Sequence, residues 1–596
     1  MENKNLNYSN INFDYTNFAN LFRDVTLKYQ DALSYLIRDL GQMNQHKIFS
    51  GEDLFKIGID FYSQAVSKPE NWFNMQMKFS QKLAELISSS LVNTDSNEGK
   101  EIYKAPPKDK RFMHKDWNDN QYFNFLKQFY LMTGEIWNEY VESNIRDIPN
   151  AGLIKFFNRQ IINSLSPSNF AFTNPLVINT SIEENYQNIL KGLDNFVADL
   201  KQYGDFIKLS ITDDSFFKLG KNIATTKGKV VFQNSLLQLI CYEGKEKTHK
   251  VPILIVPAWI NKYYILDLST HNSFVKWLVD NNFQVFMVSW VNPDESYRDI
   301  KFEDYCTKGL IEAINFLQNE LKFQEINAIG YCLGGTLLAM TIAYLNAIGN
   351  KVITSASFLT TLLDFENSGE LGLFANEDMV KRIEQEMADV GYLDGRYLSL
   401  LFSMLKANEL IWYYVVNNYL LGKSPEAFDI LYWNSDPTNL PATMHSYYLR
   451  NMYLENNLKI PGKLNIAGIP IDLSTIKTPS FFLGAKDDHI APAKGVFDSY
   501  KLFTNSPKKF CLTSSGHVAG VVNPPATSKY SYWSLDNPTN ISYEDWSNLA
   551  GKSEGSWWLF WLDWLTKYSG KQLENNIYNK LPSIEYAPGN YVQKKL

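Results

Sequence analysis

The chain has 596 residues, 45% of them hydrophobic and 20% charged, with a formal net charge of −7. That is ordinary globular composition, and more than one domain is expected because single cores stop growing near about 250–300 residues. An acidic balance without any Lys/Arg block argues against nucleic-acid binding.

Met1–Asn20 is rich in Asn and acidic residues and has no apolar h-region, so it does not read as a signal peptide. Nothing approaches the roughly 18 consecutive apolar residues of a membrane span. The segments Phe18–Leu36, Phe61–Ile87, Tyr122–Glu142 and Ile182–Leu200 carry apolar residues at three- and four-residue spacing and predict helices, with a polar break at Asn93–Pro107. Residues 1–200 are therefore expected to form a helical N-terminal domain with a docking role. The four cysteines, Cys241, Cys306, Cys332 and Cys511, lie far apart, with no CxxC pair or zinc spacing. A large, cysteine-poor chain suggests reduced thiols in a cytoplasm.

From about residue 229 the pattern changes. Val230–Phe232 and Leu236–Tyr242 read as a hairpin, and Pro252–Val256, Val285–Trp290, Ile326–Tyr331, Val352–Thr360, Ser480–Leu483 and Lys509–Leu512 as buried strands. Helical patterns such as Asn272–Asp280, Gly309–Leu321 and Leu333–Leu345 lie between them. Alternation of this kind predicts an α/β catalytic domain over 201–596 with a mostly parallel, doubly wound sheet. Residues 364–475 interrupt the rhythm with aromatic-rich helical sequence, as expected of a cap inserted over the strand ends where ligands bind. Trp557–Leu565 is expected to be a buried helix.

The strongest local signal is Ile326–Tyr331, then Cys332-Leu333-Gly334-Gly335, then a helical run. Strand, sharp turn and helix match the nucleophile elbow G-x-S-x-G of α/β-hydrolase folds, with Cys in place of Ser. The glycines relieve clashes around a strained backbone. The helix N-terminus presents its partial positive charge and free N–H groups to the sulfur, favouring the thiolate. In this fold the order is nucleophile, acid, histidine. After Cys332 the histidines are His445, His489 and His517, and His517 follows the last predicted strand. The preceding strand leads to Asp487 and Asp488. Cys332, Asp488 and His517 are the expected triad, with backbone N–H groups of Leu333 and of Ala258 or Trp259 as oxyanion donors. A thiol exchanges with a thioester at little free-energy cost and keeps the acyl group activated for transfer to an alcohol.

Several blocks resemble the polyhydroxyalkanoate synthases, most closely the class I type that makes poly(3-hydroxybutyrate). They are Gly330–Gly335, Pro257–Leu268, Val288–Asp294, Tyr447–Leu454, Asp488–Pro492 and Gly516–Pro525. The likeness runs from about Phe112 to Trp564. Trp259 stands where a smaller residue is expected, and Val291 where Arg is common. The resemblance implies (R)-3-hydroxyacyl-CoA with short acyl chains as substrate, a Cys332-linked acyl-enzyme, CoA as leaving group, and no metal or redox cofactor. It also implies a cytoplasmic enzyme at the surface of polyester granules, homodimeric through the cap, with the N-terminal domain meeting granule-associated proteins. A cysteine thioesterase or lactone hydrolase of the same fold would share the triad but not the other blocks. A non-catalytic granule scaffold would not need the triad.

Overall fold

The computed structural model describes residues 23, 51–92, 101–146, 148, 150–203, 209–527, 529–536, 541–575 and 577–596. The helix expected over Phe18–Leu36 lies, apart from Arg23, outside them. The chain packs as two compact units, one of residues up to Ile211 with Phe402–Glu426, the other of Thr212–Leu401 with Ala427–Leu596.

The first unit is helical: α1 (Gly51–Ser67), α2 (Pro69–Val92), α3 (Gln121–Ile145), α4 (Ala151–Ser164), α5 (Pro175–Glu183) and α6 (Gln187–Tyr203). Asn120 caps α3 by accepting from the N–H groups of Tyr122 and Phe123. Leu86 of α2 and Met132 and Ile136 of α3 form a buried core with Tyr103. The single helix expected over Ile182–Leu200 is two, because Asn185 and Tyr186 turn the chain at φ of 49° and 63°.

The expected cap is not one body. Phe402–Glu426 packs with the N-terminal helices, and its partner is α6. The amide of Asn188 donates to Leu420 O (2.8 Å), that of Asn195 to Asn418 O (3.0 Å), and Tyr419 Oη to Asp199 Oδ2 (2.7 Å). Asparagine side chains thus satisfy carbonyls at the end of a helical segment, which would otherwise be orphaned. The first unit therefore ends at Ile211 rather than at residue 200, and it takes part of the 364–475 insertion.

The second unit is built on an 11-stranded sheet. Its strands are β1 (Gly228–Gln233), β2 (Leu237–Tyr242), β3 (Ile253–Val256), β4 (Val285–Trp290), β5 (Ile326–Tyr331), β6 (Ile353–Leu359), β7 (Ser480–Ala485), β8 (Lys508–Thr513), β9 (Ser531–Ser534), β10 (Gly551–Glu554) and β11 (Glu585–Tyr586). The spatial order is β10-β9-β8-β7-β6-β5-β3-β4-β2-β1-β11. Neighbours from β4 through β3, β5, β6 and β7 to β8 are parallel, and the strands at both edges are antiparallel. The parallel centre is buried on both faces, which is why these strands read as unbroken apolar runs. The antiparallel β9 is half-buried and β10 and β11 are largely exposed, so they carry no such runs.

The helices of this unit include α7 (Phe274–Asp280), α8 (Leu333–Ala347), α9 (Glu377–Val390), α10 (Ala442–Tyr448, continued by wider turns to Leu454), α11 (Ala493–Lys501) and α12 (Trp557–Leu565). α8 is hydrophobic nearly all round and almost wholly buried. All four cysteines are free and buried. Among the described residues, no helix is long and apolar enough to cross a membrane.

Candidate active site

β5 runs straight into a turn at Cys332, whose backbone sits at φ 53°, ψ −123°, and α8 starts at the next residue. A side chain in this region costs on the order of 1–3 kcal/mol, so the surroundings must hold it there. They do so from two sides. The Cys332 N–H donates to Leu359 O of β6 (2.9 Å), and its carbonyl accepts from Gly335 N–H (2.9 Å) and Thr361 Oγ1 (3.3 Å). A Cβ on Gly330 would run into Gly335, and one on Gly334 into the Val256 carbonyl oxygen. The bare Gly334 backbone therefore lets the first turn of α8 lie against the end of β3.

Asp488 follows β7 and His517 follows β8. Their side chains meet, with His517 Nδ1 2.7 Å from Asp488 Oδ2, and both are buried. The other Asp488 oxygen, Oδ1, accepts from the N–H groups of Ile490 (2.8 Å) and Ala491 (2.9 Å). The neighbouring Asp487 is exposed, so the choice between the two acids is made by burial and by this pairing. The Cys332 sulfur lies near enough to the same imidazole to act on its charge. Burial by itself would push the His517 imidazole down. The Asp488 carboxylate, and then the Cys332 sulfur, outweigh it and hold it up at about 10.

Leu333 is the first residue of α8, where helix N–H groups have no intrahelical acceptor. Ala258 and Trp259 lie buried on the loop after β3. That loop is fixed by Trp290 Nε1 donating to Pro257 O (2.9 Å), Thr438 N–H donating to Ile260 O (3.2 Å), and the Thr438 hydroxyl donating to Trp259 O. The Trp259 ring sits in an aromatic box of Trp290, Phe302, Tyr305 and Tyr448, with centroids 5.4–6.4 Å away. Its bulk is absorbed there. Val291 is buried, and its N–H donates to Leu236 O (2.9 Å).

Three features of the site escaped sequence reasoning. Tyr331, beside the cysteine, stacks obliquely at 5.5 Å from the His517 ring, and its hydroxyl donates to His517 O (3.4 Å). From α10 and its continuation, the buried Tyr448 and Tyr453 lie near the Cys332 sulfur, their rings 5.7 Å apart, and burial above all pushes both hydroxyls up. The tryptophans of α12 anchor the histidine loop: Trp557 Nε1 donates to Gly520 O (3.0 Å) and Trp558 Nε1 to Val521 O (2.9 Å). Periodicity marked α12 as a buried helix but could not say what its indole N–H groups hold.

His445, one of the three downstream histidines, is elsewhere. It is buried in α10 against Tyr448, and burial pushes it down to about 3. An unfolded histidine titrates near ~6.5. Between those values the unfolded chain binds the extra proton, so stability is lost as pH falls from about 6.5 toward 3, at roughly 1.4 kcal/mol per pH unit. The His445→Phe variant should lack this slope. Melting temperatures of both proteins between pH 7 and 4 check it, and parallel curves would refute it.

A parallel sheet flanked by helices, with a strained cysteine at a strand–helix elbow and an Asp–His pair on the next strand ends, defines an α/β-hydrolase-fold protein with sulfur at the nucleophile position. Residues 251–524 match the family model for the alpha/beta hydrolase fold, and residues 108–278 that for the poly-beta-hydroxybutyrate polymerase (PhaC) N-terminus. The poly(3-hydroxyalkanoate) polymerase of Methylorubrum extorquens is 42% identical over 531 residues, covering 88% of this chain and 87% of that one. The polymerase subunits PhaC of Rhizobium meliloti, 42% identical over 81% of this chain and 79% of theirs, and of Cupriavidus necator, 39% over 84% and 85%, are similar across the same breadth. The chain belongs to the poly(3-hydroxyalkanoate) polymerase family, and it is an enzyme of the acyltransferase type.

Proposed function

We propose that this protein polymerises short-chain (R)-3-hydroxyacyl-CoA, with 3-hydroxybutyryl-CoA as the preferred substrate, through an acyl group held on Cys332. The observation that carries the reading is the Asp488–His517 pair at 2.7 Å, with the Cys332 sulfur near the same imidazole. His517 takes the Cys332 proton, and the sulfur attacks the thioester carbonyl. The oxyanion gathers donors from Leu333 N–H and from Ala258 or Trp259 N–H. CoA leaves as its thiol, taking a proton from the imidazolium. His517 then accepts the proton of a 3-hydroxyl on another acyl unit, and that oxygen attacks the acyl-enzyme to form one ester and free the sulfur. Asp488 keeps the imidazole in the tautomer that works through Nε2.

These steps call for no cofactor, and CoA enters only as the leaving group. Family membership supports a place at the surface of cytoplasmic polyester granules, dimerisation through the inserted cap, and contacts of the N-terminal unit with granule proteins. Thiol-reagent detection of CoA release across acyl lengths, with recovery of polymer, tests the reading. One methylene changes discrimination by about 1–3 kcal/mol. 3-Hydroxybutyryl-CoA should therefore outpace 3-hydroxyhexanoyl-CoA by at least about tenfold in kcat/KM. CoA release with only free acid formed would favour a hydrolase of the same fold instead.

A further inference from the structure

An oxyanion donor at Leu333 N–H is aimed by its peptide plane, not by its side chain. In a trans peptide the carbonyl and the following N–H share one plane and point opposite ways. Whatever fixes the Cys332 carbonyl therefore fixes the Leu333 N–H. That carbonyl accepts from Gly335 N–H (2.9 Å), Thr336 N–H (3.4 Å) and the Thr361 hydroxyl (3.3 Å). The first two donors belong to α8 itself. Thr361 comes from outside the helix, 29 positions further along the chain, just past the end of β6.

Thr361 is fully buried, and its hydroxyl also lies 3.2 Å from Leu359 O, the acceptor of the Cys332 N–H. One hydroxyl thus spans the carbonyls that hold both ends of the nucleophile residue. A Cβ on Gly335 would run into Thr361 Oγ1 and Cγ2, so the last glycine of the elbow makes room for this side chain. The preceding residue turns it inward. Thr360 is β-branched yet takes φ 45°, a conformation such residues rarely adopt, and its buried hydroxyl has no hydrogen-bond partner. Its N–H donates to Leu483 O of β7 (2.8 Å), which fastens the turn. Strain and an unsatisfied buried hydroxyl both cost stability, and both sit where the chain must swing Thr361 back onto the elbow. We propose that Thr361 is a positioning residue for acyl transfer: its hydroxyl holds the Cys332–Leu333 peptide so that the Leu333 N–H points at the oxyanion. The oxyanion rests on the acyl-enzyme reading above; the hydrogen bonds do not.

The test compares Thr361→Val and Thr361→Ser in the full chain. Valine keeps the shape and loses the donor, whereas serine keeps the donor. Valine strands neither carbonyl, since Cys332 O retains Gly335 N–H and Leu359 O retains Cys332 N–H, so the melting temperature should hold. In Thr361→Val, CoA release from 3-hydroxybutyryl-CoA should fall about tenfold in kcat with KM unchanged. That is a fraction of the roughly 10²–10³-fold lost when an oxyanion donor is removed outright. Thr361→Ser should restore most of it. Alkylation of Cys332 by iodoacetamide separates the aim of the donor from the strength of the nucleophile, because displacement of iodide at a saturated carbon builds no oxyanion. Its rate at pH 7 should be the same in wild type and Thr361→Val. Unchanged kcat in Thr361→Val overturns the proposal, as does a serine variant no better than valine, or alkylation that slows in step with kcat. Should Thr361→Val not fold, Thr361→Ala against Thr361→Ser decides, since that pair differs only in the hydroxyl. Failure of the acyl-enzyme reading looks different: Cys332→Ala would then release CoA at the wild-type rate, whatever residue stands at position 361.

Discussion

Cys332→Ala should lower CoA release from 3-hydroxybutyryl-CoA by at least about 10³-fold and yield no polymer. Loss of a covalent nucleophile leaves only the contribution of binding and oxyanion contacts. The fold should survive, because Ala at φ 53° has the same Cβ strain as Cys, and the backbone bonds to Leu359 and Gly335 do not involve the sulfur. Near-identical melting curves for the two proteins provide that control. Cys332→Ser is the more informative companion. Its hydroxyl can occupy the same place, but attack would convert a thioester into an oxygen ester, which is a poorer acyl donor to the next hydroxyl. Release of about one CoA per chain followed by arrest is expected, whereas wild-type protein continues. Wild-type rates of CoA release from the alanine variant would remove Cys332 from the chemistry.

What the sequence made legible follows from range. β3 to β8 are continuous apolar runs, and the elbow is a local pattern of glycines around one cysteine, so both could be read in a short window. The order of Cys332, Asp488 and His517 was legible because a fold fixes which strand ends come together. The sequence points to Asp488, but what separates it physically from the adjacent Asp487 is burial, which only the structure shows. The split of the insertion could not be read at all. Asn188 and Leu420 are 232 positions apart, and an asparagine carries no periodic signal that points to a distant carbonyl. The same holds for Trp557 and Trp558, whose apolar bulk predicted burial while their N–H groups settled the position of the histidine loop. Side chains that set the site from a distance are polar atoms on otherwise apolar residues, and hydrophobic patterning is blind to them.

Asp488→Asn should cost more than its single-atom change suggests, on the order of 10⁴-fold in kcat. The reason lies in which oxygen is already engaged. Oδ1 accepts from two backbone N–H groups, of Ile490 and Ala491. An amide in this position must turn its oxygen toward those donors, because its NH₂ cannot accept from them. The NH₂ then faces His517 Nδ1, which must be the unprotonated nitrogen to receive it. The ring proton moves to Nε2, and the nitrogen that should take the Cys332 proton already carries one. The loss of the carboxylate also leaves burial, which pushes His517 down, opposed only by the sulfur. Two readouts separate this from simple misfolding. The melting temperature should hold, since both backbone donors keep an acceptor. The apparent pKa governing Cys332 alkylation by iodoacetamide should shift, and at pH 7 the reaction should slow, because a neutral imidazole stabilises the thiolate less. Asp488→Ala would be a poorer probe, as it strands the Ile490 and Ala491 N–H groups in a buried site. If Asp488→Asn keeps wild-type kcat with an unchanged alkylation profile, the carboxylate does no more than brace the loop, and His517 finds its tautomer by other means.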